Sequence, residues 1–120
     1  VTPWLSDRDL ALQALLLNAS FGRVFLLEFA DEKVGYTVLT FGYSLEFHGR
    51  DAFVDELYIV ASHRGQGIGK QVLDFLAEVC RAEGIAALHL EVERANTIAQ
   101  AVYRKQGFKD HDRYLLTKWL

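Results

Sequence analysis

The stretch Arg64-Gly65-Gln66-Gly67-Ile68-Gly69-Lys70 sets three glycines in five positions between two charged side chains. Residues 53–60 before it are apolar and strand-like, and an amphipathic helical pattern after it runs to residue 83. Glycines at a strand-to-helix junction leave backbone N–H groups uncovered at a helix N-terminus, where partial positive charge favours an anion. With Arg64 and Lys70 flanking the loop, a pyrophosphate fits better than a carboxylate. Two other phosphate loops fail at fixed positions. A Walker loop needs Gly at 64 and Ser or Thr at 71, where the chain has Arg64 and Gln71. A dinucleotide fingerprint from Gly65 or Gly67 needs Gly or Ala at 70 or 72, where Lys70 and Val72 stand. A plain tight turn is the bland alternative.

A second block follows the apolar alternation Leu88, Leu90, Val92: Asn96, Ala99, Tyr103, Gly107 and Phe108. Seven residues are close to two helical turns, so Asn96 and Tyr103 project from nearly one face, roughly 10 Å apart along the axis. Read singly, Asn96 is equally a helix cap and Tyr103 a half-buried aromatic. The two blocks in this order, with Arg-x-x-Gly-x-Gly at 64–69, resemble the GCN5-related N-acetyltransferase (GNAT) family. The resemblance is specific over 53–108, and the order of elements matches along nearly the full chain.

That resemblance implies acetyl-CoA as acyl donor and a primary amine of a small molecule or protein as acceptor, with direct transfer in a ternary complex. It implies that Leu57, Tyr58, Ile59 and Val60 pair through their backbone with the pantetheine arm, one N–H polarising the thioester carbonyl. Arg64, Gly65, Gln66, Gly67, Ile68, Gly69 and Lys70 would hold the pyrophosphate, and Asn96, Ala99, Tyr103 and Lys105 would also contact the cofactor. Tyr103 resembles the family's general acid at the sulfur. An alkylammonium has a pKa of about 10.4, so near neutrality a base must take its proton. Asp55 and Glu56 are the candidates. On a regular strand they point to opposite faces, a bulge would change which one enters the pocket, and reach favours Glu56. The alternative function is a non-catalytic acyl-CoA-binding regulatory module, which has no need of an acid at the sulfur.

Several elements must position these groups. Ser6, with Asp7 and Asp9 after it, opens a helix over 6–18. Residues 23–29 and 34–47 read as an antiparallel hairpin, and a polar turn at 48–51 leads to the strand 53–60. Then come a helix over 67–83, a strand over 87–92, a helix over 97–106 and a last strand over 113–119. This is an α+β order, and the family's version is a mixed, mostly antiparallel sheet with helices on both faces and a splayed pair of central parallel strands.

The 120 residues suit a single acetyltransferase domain, and 51% hydrophobic content suffices for one core. A net charge of −3 argues against general nucleic-acid binding and suits a neutral or cationic acceptor; no apolar run approaches a membrane span. Glu91, Glu93, Glu28 and Glu46 would add to the attraction of a cation or simply be solvated. Cys80, the one cysteine, falls among core positions and fits a reducing, cytoplasmic setting. His63 and His89 have no second ligand at metal spacing, so no metal is expected. A homodimer through the last strand and Trp119 is compatible with either function. The chain begins at Val1 and has no methionine, and the family's leading strand has no counterpart before Ser6, so a preceding segment is expected to be missing.

Overall fold

The computed structural model describes residues 6–120. Positions 1–5, where the sequence lacks a strand pattern, lie outside the described residues. Ser6 and Asp9 form a reciprocal capping box that starts helix α1, Asp7–Leu17. None of its residues is buried, so α1 lies on the surface. The hairpin follows as β1, Gly22–Phe29, and β2, Glu32–Ser44, joined through Ala30 and Asp31, both with positive φ. Two left-handed residues match the twist of the flanking strands.

Strand β3, Gly49–Ile59, starts four residues earlier than its apolar run suggests, because Gly49 to Ala52 pair with β2 across the turn. Helix α2, Ile68–Ala82, strand β4, Ala87–His89, and helix α3, Thr97–Lys105, complete the order. The sheet runs β1-β2-β3-β4, antiparallel except for the parallel β3–β4 pair. Two expectations change here. Strand β4 ends at His89 rather than at 92, and residues 113–119 form no strand among the described residues. The parallel pair therefore lies with β4 at the sheet edge rather than at its centre. Tyr114, Leu115, Leu116 and Trp119 are exposed, because a strand needs a ladder neighbour and this segment has none among the described residues.

Helix α2 covers one face of the sheet. Its Ile68, Val72, Leu76 and Cys80 pack on Leu39 and Ala52, with Phe25, Val54, Leu57 and Ile59 around them. Leu76 and Leu39 are fully buried. Among the described residues no helix is long and apolar enough to cross a membrane.

Candidate functional site

The site is built on an irregularity in β3. Val38 pairs with Glu56 and Leu39 with Val54, so Asp55 is an extra residue opposite the β2 register. This bulge shifts the alternation by one. Ala52, Val54, Leu57 and Ile59 consequently all face α2, while Glu56 and Tyr58 share the opposite face with Tyr36. Thr37, fully buried, donates its hydroxyl to the Glu56 carbonyl at 2.8 Å and holds the backbone beside the bulge.

Strands β3 and β4 pair at only three positions, Asp51 with Ala87, Ala52 with Leu88 and Phe53 with His89, and then separate. Asp51 and His89 are tied at 3.1 Å where the pair closes. Beyond it, the Val60 N–H bonds to Val34 on β2 at 2.7 Å. Ladder alternation then points Tyr58 to β2 as well, and turns the backbone of Leu57 and Ile59 toward the gap left by β4. The Val60 carbonyl accepts from His63, and the Ile59 carbonyl from Arg64 Nε at 2.8 Å.

Two neighbouring hollows, with three lining residues in common, occupy that gap. One, of about 230 Å³, is apolar and lies between Leu57, Gly69, Lys70 and Leu73 on one side and Ala99, Val102 and Tyr103 on the other. The second, of about 160 Å³, is more polar and is lined by Val54, Asp55, Glu56, Leu90 and Glu91. Leu57, Leu73 and Tyr103 line both, so Tyr103 stands where they meet. Asp55 is exposed at the bulge and Glu56 half-buried.

At the apolar end the glycine loop becomes α2. Gly65 (φ 77°) and Gly67 (φ 80°) adopt left-handed backbone, which glycine takes without a Cβ penalty. Gly67 is the N-cap and has no capping side chain; the first helical bond runs from the Gln71 N–H to its carbonyl. The N–H groups of Ile68, Gly69 and Lys70 thus precede the helical ladder, at the positive end of the helix dipole. Gly69 differs: it is helical, and a Cβ there would meet only Ile59 at an ordinary 3.8 Å. Nothing in the fold requires glycine at that position. The charged side chains are engaged within their own neighbourhood. Arg64 lies over the Tyr58 ring at 5.6 Å, Lys70 bonds Asp74 at 3.0 Å, and Gln66 reaches the Ser62 carbonyl.

Helix α3 presents the second block. Asn96 caps it by accepting from the Ala99 N–H at 3.1 Å. Tyr103 rests edge-on against Phe108, and Lys105 ends the helix exposed. Arg104 grips Asp110 through two bonds, at 2.9 and 2.7 Å, which hold the Asp110 carboxyl below the usual aspartate range.

Arg8, Tyr36 and Thr37 were not among the residues singled out from the sequence. The Tyr36 hydroxyl donates to Glu56 Oε1 at 2.7 Å, which raises the Tyr36 phenol above its ordinary value, burial adding to the effect. The Arg8 guanidinium pairs with the same oxygen at 2.5 Å. The phase slip between the apolar sets Ala52, Val54 and Leu57, Ile59 is the sequence signal that would have placed the bulge.

An open parallel strand pair, a glycine-capped helix at one end of the gap and a tyrosine from the late helix over its middle define a class. The family model described as Acetyltransferase (GNAT) family matches residues 2–108, and the chain belongs to that family. A thialysine N-epsilon-acetyltransferase of Bos taurus is 35% identical over 77 residues, 64% of this chain and 45% of that protein. The chain thus spans less than half the length of that curated relative. A solved integron cassette protein from the mobile metagenome of Cole Harbour Salt Marsh shares 35% identity with a TM-score of 0.79, over 92% of this chain and 67% of its own. An aminoglycoside N-acetyltransferase solved in complex with CoA has a TM-score of 0.76 over 94% of this chain and 87% of its own. At 18% identity that likeness is one of fold.

Proposed function

We propose that residues 1–120 act as one N-acetyltransferase domain, moving the acetyl group of acetyl-CoA to a primary, cationic amine by direct transfer in a ternary complex. The observation that carries this reading is the position of Tyr103 between an apolar hollow, which runs to the α2 N-terminus, and a polar one lined by Asp55, Glu56 and Glu91. A donor arm suits the first and an ammonium the second. The cleft-facing Leu57 backbone and the Ile59 N–H pair with the arm, and the uncapped N–H groups at Ile68 to Lys70 take its pyrophosphate. Arg64 and Lys70 add their charge once they leave the Ile59 carbonyl and Asp74. The thialysine relative's name supplies an acceptor of matching chemistry, an alkylamine.

Glu56 takes a proton from the acceptor ammonium, and the freed nitrogen attacks the thioester carbonyl carbon. A backbone N–H of the β3 edge stabilises the oxyanion. As the C–N bond forms and the C–S bond breaks, the Tyr103 hydroxyl gives its proton to the departing sulfur, the acylated nitrogen loses its extra proton to water, and solvent returns a proton to Tyr103. Asp55, on the bulge, lines the same hollow and helps hold the cation there.

The test is calorimetric titration with acetyl-CoA of the native chain and Tyr103→Phe, followed by thiol release with a panel of amines. Binding by both, with the variant's turnover reduced on the order of 100- to 10,000-fold, is expected. Binding without turnover on any amine would favour the non-catalytic acyl-CoA module, and no binding would remove the donor assignment.

A further inference from the structure

Glu56 already holds a cation. Its Oε1 takes the Tyr36 hydroxyl and the Arg8 guanidinium together, while the Tyr36 ring lies against Tyr58 with centroids 5.8 Å apart. A carboxylate beside two aromatic rings is also the chemistry that holds a protonated alkylamine. Arg8 comes from the first turn of α1, the helix with no buried residue, and its side chain is 60% exposed. An ion pair this exposed is weak and exchangeable. The contact therefore places an exposed positive charge, carried on a surface helix, on the carboxylate that the reaction needs for the acceptor.

We propose that Arg8 is a built-in competitor for the acceptor's ammonium at Glu56, which lines the polar hollow and also meets Tyr36 and Arg8 on its other side. This rests on the acetyltransferase reading above. With no acceptor bound, Arg8 holds α1 against the sheet; a cationic alkylamine displaces it and releases α1 from Glu56. The acceptor class is one charged at working pH, since an uncharged arylamine has nothing to exchange for the guanidinium. An Arg8 that merely oriented Glu56 would have the opposite effect on acceptor affinity when removed, which makes the two roles separable.

The experiment compares the native chain with Arg8→Ala and Arg8→Lys, using 1,5-diaminopentane as acceptor at saturating acetyl-CoA and guanidinium chloride as a free equivalent of the Arg8 head group. In Arg8→Ala the KM for the diamine is expected to fall about 2- to 5-fold, the factor that an exposed pair is worth, while Arg8→Lys stays near native. Guanidinium should compete with the diamine, and more strongly in Arg8→Ala than in the native chain. A KM that rises in Arg8→Ala, or equal inhibition of both proteins, would overturn the proposal. Displacement is also read without turnover, from the Arg8 Nε–H nuclear magnetic resonance signal as the diamine is titrated into the native chain with CoA. A saturable shift supports the exchange and an unmoved signal refutes it. A chain that shows the shift but releases no thiol would lose the acetyltransferase reading and keep the cation site.

Discussion

Removing one hydroxyl at position 37 should both soften the sheet and slow the reaction. Thr37 is fully buried and its hydroxyl donates to the Glu56 carbonyl beside the bulge. In Thr37→Val a methyl replaces the hydroxyl, so the cavity stays filled while the carbonyl loses its donor. A buried acceptor left without a partner costs about 1–3 kcal/mol. At about 2.1 cal/mol/K per residue, unfolding a chain of this length carries an entropy of roughly 0.25 kcal/mol/K, so Tm is expected to fall by about 4–12 °C. Without that bond the bulge can relax toward regular alternation, which carries Glu56 and Leu57 away from the faces they now occupy. Turnover at a temperature well below both transitions should therefore fall as well, and Thr37→Ser, which keeps the donor, should restore much of both properties. Calorimetric melting and thiol release provide the two readouts. A Tm within about 1 °C of native together with unchanged turnover would refute the reasoning, because the hydroxyl would then be holding nothing.

Gly69→Ala tests whether the third glycine of the loop is kept for a ligand. Alanine in a helix gains up to about 1 kcal/mol over glycine, so Tm should rise by up to about 4 °C, while acetyl-CoA affinity falls roughly tenfold or more as the methyl enters its path. Higher stability with unchanged affinity would show that no ligand approaches there. Past the last turn of α3, the Asp110 carboxyl is depressed first by its hydrogen bonds from Arg104. A carboxyl depressed on folding stabilises the fold above its ordinary pKa, and that contribution is lost as pH falls through the lowered value. Carboxyl titration by nuclear magnetic resonance should therefore show Asp110 returning upward in Arg104→Ala, and identical titration curves in the two proteins would contradict the assignment.

The local elements were legible because their signals are local. Ser6 with Asp9, the glycine loop and the apolar stripe Val72, Leu76, Cys80 each fix a helix within a few residues of its observed bounds. What escaped depends on partners far along the chain. The alternation Leu88, Leu90, Val92 reads as one strand, yet only residues through His89 find a ladder, and Leu90 instead lines the cleft. Residues 113–119 have strand composition and, among the described residues, no neighbour to pair with. Asp55 and Glu56 both line the polar hollow, but their faces depend on a bulge set by β2. Arg64 and Lys70 flank the loop in sequence, while in space one turns back to Ile59 and the other to Asp74. Arg8 reaches Glu56 across 48 positions, a separation that no pattern in the sequence announces.

The lone thiol of this chain has a practical consequence for every assay named above. Cys80 sits on the buried side of α2, and burial raises its thiol above the ordinary range, so little reactive thiolate meets a reagent in solution. A chromogenic disulfide reagent added during turnover will therefore count coenzyme sulfhydryl released by the reaction, with almost no background from the protein. The same shielding turns the residue into a clock. When turnover is stopped, the slow labelling that remains measures how often α2 lifts from the sheet, and acetyl-CoA bound across the start of that helix should slow it further.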